Sequence, residues 1–141
     1  MCSIIGYRGK NSAAPILVNG LQRMEYRGYD SVGIATKSKN QILLRKGIGK
    51  VVEVNNAVQL DELPGNIGIG HTRWATHGKV TEKNAHPQPS NSGKIAIVHN
   101  GIIENFEELK SDLQKKGFDF HSETDTEVIA NLIQLNFDET P

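Results

Sequence analysis

Residues 32–45, VGIATKSKNQILLR, contain two short apolar runs separated by a polar turn. The runs at 32–36 and 41–45 are typical of strands, and the turn at 37–40 predicts an antiparallel hairpin. Further strands are predicted at 4–7, 67–72 and 94–99. Helices are predicted at 12–24, 51–63, 105–116 and from 124 onward, where Thr124 and Glu127 form a capping box. Strands and helices do not alternate strictly, so the order favours an α+β domain.

Composition limits the class of protein. The 141 residues include 16 Lys plus Arg and 16 Asp plus Glu, and this balance argues against a nucleic-acid binder. The apolar runs are far shorter than the roughly 20 residues of a membrane span, and no export signal is evident. The sequence therefore predicts a cytoplasmic protein without a membrane or nucleic-acid partner.

Cysteine and histidine content limits the cofactors. Cys2 is the single cysteine, which excludes an internal disulfide and clustered thiolate ligands. His71 and His77 lack a neighbouring carboxylate at ligand spacing. We therefore expect no metal site.

Cys2 has two interpretations. Removal of Met1 would give Cys2 a free α-amino group beside its thiol, so that one residue would hold both a nucleophile and a base. An α-amine has a pKa of about 8 and accepts protons at cellular pH. A small buried residue at the edge of a strand explains the position equally well. Position alone leaves both interpretations open.

Two motifs lie where predicted strands run into loops, HTRWATHG at 71–78 and HNGIIEN at 99–105. Asn100 and Gly101 suit an oxyanion hole, or an ordinary Asn-Gly turn. Arg73 suits a bound carboxylate, or a surface ion pair. Asp125 suits a bound cation, or simply complements a helix dipole. The long segment at 73–93 shows no periodicity and is predicted to be an ordered loop.

Taken together, Cys2 and five longer motifs resemble one family. The longer motifs are EYRGYDSVGIA at 25–35, GHTRWATHG at 70–78, NAHPQPS at 84–90, HNGIIEN at 99–105 and SETDTEV at 122–128. From Cys2 to about Leu135 the chain is similar to the class II glutamine amidotransferases, and most similar to the branch that supplies ammonia for amino-sugar formation. The amidophosphoribosyltransferases are the alternative, because they share the Cys at the start and the Asn-Gly pair. Their motifs equivalent to YRGYDS and TRWATHG have different sequences.

The resemblance implies an N-terminal nucleophile hydrolase fold, a four-layer αββα sandwich, and hydrolysis of glutamine through a thioester on Cys2. It assigns the oxyanion hole to Asn100 and Gly101, the substrate carboxylate to Arg73 and the substrate ammonium to Asp125. The remaining assignments are Trp74, Thr76 and His77 to the glutamine pocket, and Arg27 to support of the nucleophile's surroundings. No cofactor is implied.

The sequence departs from the family pattern in two ways. Ser3 stands where the family almost always has Gly, which leaves two consequences open: its side chain crowds the pocket, or it excludes a strained backbone conformation that Gly tolerates. The family's domain continues beyond position 141, so residues 1–141 are expected to form a glutaminase domain that is incomplete at its C-terminus. The resemblance also implies a sugar isomerase domain that would accept ammonia, and residues 1–141 are expected not to include it. A non-catalytic glutamine-binding or assembly fragment remains the alternative function, and a homo-oligomer remains open.

Overall fold

The computed structural model describes residues 1–75 and 79–138. Its strands are β1 (Ser3–Arg8), β2 (Ser31–Ser38), β3 (Gln41–Ile48), β4 (Ile67–Arg73), β5 (Gln88–Pro89) and β6 (Ala96–Ile97). Its α-helices are α1 (Ala13–Met24), α2 (Val51–Val58), α3 (Phe106–Lys115) and α4 (Thr126–Asp138), with short 3₁₀ turns at Glu25–Arg27 and Leu60–Glu62. The predicted α+β class is confirmed.

The larger sheet has the strand order β1-β4-β2-β3, and every neighbouring pair is antiparallel. The predicted hairpin is β2–β3, in which Ser38 pairs with Gln41 across a turn where Lys39 has a φ of 54°. β1 pairs with β4 from Ser3 opposite Thr72 to Arg8 opposite Ile67. The first residues of the chain are therefore fixed beside the end of β4.

One face of this sheet is covered by α1, because the apolar residues of that helix recur at helical spacing. Leu17 and Leu21 are fully buried and pack in one cluster with Val32 and Ile34 of β2. The opposite face receives the loop before β5, since the His86 carbonyl lies over Gly33 of β2. The β5–β6 pair in turn packs against α4. The resulting order is helix, sheet, sheet, helix.

Three predicted elements have different limits in the structure. The helix predicted to reach residue 63 ends at Val58, because Gln59 adopts a left-handed conformation with a φ of 55°. The strand predicted at 94–99 is only Ala96–Ile97, paired with a strand inside the segment predicted to be a loop. Its partner contains Pro89, which has no N–H to extend the ladder.

The predicted capping box before α4 is also different. The Glu127 carboxylate accepts hydrogen bonds from the backbone N–H groups of His121 and Ser122, at 2.9 and 2.7 Å, and from the Ser122 hydroxyl at 2.7 Å. Glu127 therefore fixes the segment that leads into α4, and Thr124 is held by Ser122.

Candidate active site

A cleft of about 730 Å³ opens where β1 begins and β4 ends, and where the loops before β5, after β6 and before α4 converge. Sequence segments that lie far apart meet there because β1 and β4 are paired neighbours. The cleft is lined by Met1, Cys2, His71, Arg73, Trp74, Asn84, His86, Asn100, Gly101, Ile102, Phe106, Glu123, Thr124 and Asp125. Five of the predicted site residues are in this group together with Cys2.

The Cys2 thiol is half-buried and lies immediately before the first residue of β1. The Trp74 backbone N–H donates to Cys2 Sγ at 3.3 Å, and the Trp74 carbonyl lies 3.7 Å from the same sulfur. The two backbone groups of Trp74 therefore fix the position of the Cys2 sulfur at the edge of the cleft. Trp74 itself is 46% exposed and makes an edge-to-face contact with Tyr29.

Asn100 is oriented by a buried histidine. His71 Nε2 lies 2.7 Å from Asn100 Oδ1, and because an amide oxygen only accepts, the imidazole must donate. The oxygen of the Asn100 amide is thereby engaged, and its Nδ2–H₂ group remains as the donor. That arrangement suits stabilisation of an oxyanion.

Gly101 occupies a conformation that favours glycine, with a φ of 157°. A Cβ at this position would lie 2.8 Å from His99 Nε2. His99 is in turn held through Nδ1, which lies 3.3 Å from the Thr126 hydroxyl at the start of α4. The glycine therefore permits the chain to pass closely over this imidazole.

Two opposite charges line the cleft. Arg73 is 9% exposed at the end of β4 and donates from Nη1 to the Lys79 carbonyl at 3.3 Å. Asp125 precedes α4, and its Oδ2 accepts the Ile103 backbone N–H at 2.7 Å. A guanidinium and a carboxylate on one cleft complement the α-carboxylate and α-ammonium of an amino acid.

His71 and His86 form a stacked pair with ring centroids 4.4 Å apart and planes inclined by 24°. Burial lowers the pKa of His71 to about 4, while its bond to Asn100 opposes the shift. Burial and then the neighbouring His71 lower the pKa of His86 to about 3. Both imidazoles are therefore neutral at neutral pH.

The remaining predicted site residues are Arg27, Thr76 and His77, and Ser3 was expected to affect the site. Arg27 is exposed and does not line the cleft, although its carbonyl accepts the Met1 ammonium at 2.5 Å. Thr76 and His77 lie outside the described residues. Ser3 is buried beside α1, where its hydroxyl lies 3.4 Å from the Met24 carbonyl, and it does not line the cleft. Of the two consequences considered for Ser3, crowding of the pocket therefore finds no support in the described cleft.

Four residues that line the cleft were not predicted as site residues from the sequence: His71, His86, Asn84 and Glu123. All four lie in the quoted motifs, yet their roles depend on contacts between motifs. Asn84 Nδ2 donates to Glu123 Oε2 at 3.1 Å, and the Glu123 backbone N–H donates to Asn84 Oδ1 at 2.9 Å. This pair joins the loop before β5 to the segment that carries Asp125.

The described residues contain neither a candidate metal site nor a helix that could span a membrane. Across 1–75 and 79–138, no three His, Cys, Asp or Glu side chains are grouped so that they could hold a metal ion. No helix in the same ranges is long and apolar enough to cross a membrane.

Comparison with known sequences gives one consistent family. The family described as "Glutamine amidotransferase domain" matches residues 56–137. The chain is 59% identical over 136 residues to a glutamine–fructose-6-phosphate aminotransferase [isomerizing] of Pyrococcus horikoshii, covering 96% of this chain and 23% of the relative. It is 52% identical over 137 residues to the protein of the same name from Aquifex aeolicus, covering 97% and 23%. The chain thus spans about a quarter of the length of these curated relatives.

Solved structures support the same assignment. A glutamine phosphoribosylpyrophosphate amidotransferase of B. subtilis, complexed with ADP and GMP, superposes with a TM-score of 0.78 at 32% identity, over 95% of this chain and 29% of the other. A structure described as the allosteric regulatory enzyme of purine biosynthesis gives a TM-score of 0.81 at 32% identity, with the same coverage. The layered fold is that of the N-terminal nucleophile hydrolase type of amidotransferase. The chain belongs to the glutamine amidotransferase domain family.

Proposed function

We propose that residues 1–141 form a glutaminase domain that hydrolyses glutamine to glutamate and ammonia through a thioester on Cys2. One observation carries the proposal: the Cys2 thiol, the Asn100–Gly101 pair, Arg73 and Asp125 all line a single cleft. A nucleophile, an oxyanion hole and two charges for an α-amino acid are the groups that this reaction needs.

In the proposed reaction, Cys2 Sγ attacks the side-chain carbonyl carbon of glutamine. The carbonyl oxygen becomes an oxyanion that accepts from Asn100 Nδ2 and the Gly101 N–H. The α-amine of Cys2, freed by removal of Met1, accepts the proton of the attacking thiol and passes it to the leaving nitrogen, and ammonia departs as the carbon–nitrogen bond breaks. Water then attacks the thioester carbon while the same amine accepts one of its protons. The carbon–sulfur bond breaks, glutamate is released, and the proton passes from the amine to sulfur and restores the Cys2 thiol.

Substrate recognition is assigned to the two charges. Arg73 would bind the α-carboxylate and Asp125 the α-ammonium, while Trp74, Thr76 and His77 would complete the pocket. No metal or cofactor takes part in this scheme. Asp125 keeps its geometry through the Ile103 N–H, which engages Oδ2 and leaves Oδ1 for a substrate cation.

Similarity to the curated relatives supports a proposal for the acceptor of ammonia. The chain is 59% identical to the glutamine–fructose-6-phosphate aminotransferase [isomerizing] of Pyrococcus horikoshii and 32% identical to the glutamine phosphoribosylpyrophosphate amidotransferase of B. subtilis. We therefore propose that a sugar isomerase unit, acting on fructose 6-phosphate in the cytoplasm, receives the ammonia. The 141-residue chain alone would release ammonia from glutamine and form no amino sugar.

The test measures ammonia release from glutamine by the chain whose loss of Met1 has been established by intact mass. Cys2→Ala should abolish release, and mass spectrometry of quenched wild-type protein should show a glutamyl adduct on Cys2. Turnover that survives in Cys2→Ala would contradict the nucleophile assignment.

A second candidate function is glutamine binding without catalysis. The position of Met1 favours this function for the form of the protein that retains Met1. Met1 lines the cleft, and while it is attached the Cys2 nitrogen is an amide that cannot act as a base. Protein that retains Met1 should bind glutamine without hydrolysing it. Equal turnover by the two forms would exclude a role for the α-amine.

A further inference from the structure

Lys46 lies on β3, outside the cleft, and its ammonium reaches the loop that precedes β5. Lys46 Nζ donates to the backbone carbonyls of Lys83, Ala85 and Pro87 at 3.3, 2.8 and 3.3 Å. An ammonium has three N–H groups and no acceptor, so the three carbonyls match its full donor capacity. One side chain thus binds three carbonyls in a segment of five residues.

The same segment also contacts the sheet at Gly33, the residue opposite Lys46 in the hairpin. Gly33 of β2 pairs with Lys46 across the hairpin, and a Cβ at Gly33 would lie 2.2 Å from the His86 carbonyl oxygen. The His86 carbonyl, which lies in the chain between the Ala85 and Pro87 carbonyls that Lys46 binds, is therefore packed directly against Gly33. The absence of a side chain at Gly33 allows the loop to lie against β2, and the hydrogen bonds from Lys46 fix its position.

This loop carries two residues of the cleft, Asn84 and His86. The His86 ring stacks on His71, and His71 donates to Asn100. A shift of the loop would change the support beneath the Asn100 amide. The contacts therefore connect Lys46 to the oxyanion donor through the loop and two imidazoles.

We propose that Lys46 is a positioning residue for the glutaminase site, which acts by holding the 83–87 loop so that His86 supports His71 and Asn100. The inference rests on the proposed function. Burial lowers the pKa of Lys46 to about 8, against the opposing charges of Glu127 and Glu82, so the side chain is mostly an ammonium at neutral pH.

Replacement of Lys46 should leave a folded protein, because the loop keeps a second anchor. Gln88 Nε2 donates to the Lys83 and Ala85 carbonyls at 2.9 and 3.0 Å, so only the Pro87 carbonyl loses its side-chain donor completely. Lys46→Met removes the donors and retains an unbranched chain. Lys46→Arg restores donors, and Lys37→Met on β2, which is exposed, is the matched control.

Steady-state kinetics give the first readout. In Lys46→Met, kcat for glutamine should fall about 10- to 100-fold with a smaller change in KM, because misplacement of a transition-state donor affects the chemical step most. Lys46→Arg should recover most of that loss, and Lys37→Met should match wild type. A kcat in Lys46→Met equal to wild type, or a loss that Lys46→Arg does not relieve, would overturn the proposal.

The second readout does not depend on turnover. The imidazole NMR resonances of His71 and His86 should shift in Lys46→Met and remain in place in Lys37→Met. If the wild-type chain shows no glutaminase activity while these shifts occur, the proposed function fails and the positioning contact stands. If the resonances of Lys46→Met coincide with those of wild type, the positioning role is refuted whatever the activity.

Discussion

Lowering the pH from 7 to 5 should destabilise the fold through the stacked pair of His71 and His86. The folded-state pKa values are about 4 and about 3, below the ordinary 6.5, so the unfolded chain binds more protons in this range. The stabilisation from the neutral pair is fully present above pH 6.5 and is lost as the pH falls towards the folded-state values. Acid therefore favours the unfolded state.

The magnitude follows from the two pKa values of each group. At pH 5 both imidazoles remain largely neutral in the fold, whereas both are largely protonated in the unfolded chain. Each histidine then costs about 2 kcal/mol relative to pH 7, and the pair about 4 kcal/mol. Repulsion between the two does not alter this sum, because neither is charged in the fold at that pH.

Urea unfolding at pH 7, 6 and 5, at constant ionic strength, measures the effect. Carboxylates also titrate, so the informative quantity is the difference between wild type and variant. The free energy of unfolding of His86→Gln should fall by about 2 kcal/mol less than that of wild type between pH 7 and 5. His71→Gln should behave in the same way. Identical pH dependence in all three proteins would refute the assignment of neutral buried imidazoles.

Three substitutions test the cleft by glutaminase kinetics. Arg73→Lys should weaken apparent glutamine affinity by about 1–3 kcal/mol, because one ammonium replaces a forked guanidinium; an unchanged affinity would point to another anchor. Gly101→Ala should lower kcat about 100-fold, since its φ of 157° and the nearby His99 disfavour a Cβ; near-normal turnover would exclude Gly101 from the oxyanion hole. Ser3→Gly should leave turnover within about twofold of wild type, because Ser3 does not line the cleft; a large gain would show crowding.

Local patterns predicted the larger sheet because its strands are long enough to display their pairing signals. The hairpin at 32–45 has a polar turn between two apolar runs, and the structure pairs it over eight residues from each strand. The helix ending at Val58 shows the limit of such patterns. Nothing in the local sequence distinguishes Gln59 as the residue that turns left-handed, although the apolar spacing continues to Leu63.

The smaller sheet was the less predictable part because its strands depend on tertiary contacts. Ala96 and Ile97 pair with Gln88 and Pro89, two residues in a segment without periodicity. That segment is held by groups from elsewhere, among them the Lys46 ammonium. Propensity at 94–99 favoured a longer strand, but the partner offers only two residues and one of them is proline.

The site itself was predictable as a set of residues and not as a set of contacts. Cys2 and Trp74 are 72 positions apart in the chain, and their contact depends on the pairing of β1 with β4. The motif resemblance assigned a role to Asn100 but gave no reason for the orientation of its amide. That reason requires the buried His71, whose importance no local pattern indicates.

The neutral state of His71 determines the orientation of the Asn100 amide. A neutral imidazole has one N–H, and His71 Nδ1 is buried without a partner. If the proton were on Nδ1, a buried N–H would lack an acceptor, which is rare in folded proteins. The proton therefore lies on Nε2, which requires an acceptor at 2.7 Å, and only the oxygen of the Asn100 amide can accept. The Asn100 amide nitrogen therefore remains as the donor for the proposed oxyanion. Burial keeps His71 and His86 neutral, and the neutral His71 fixes the direction of the Asn100 amide.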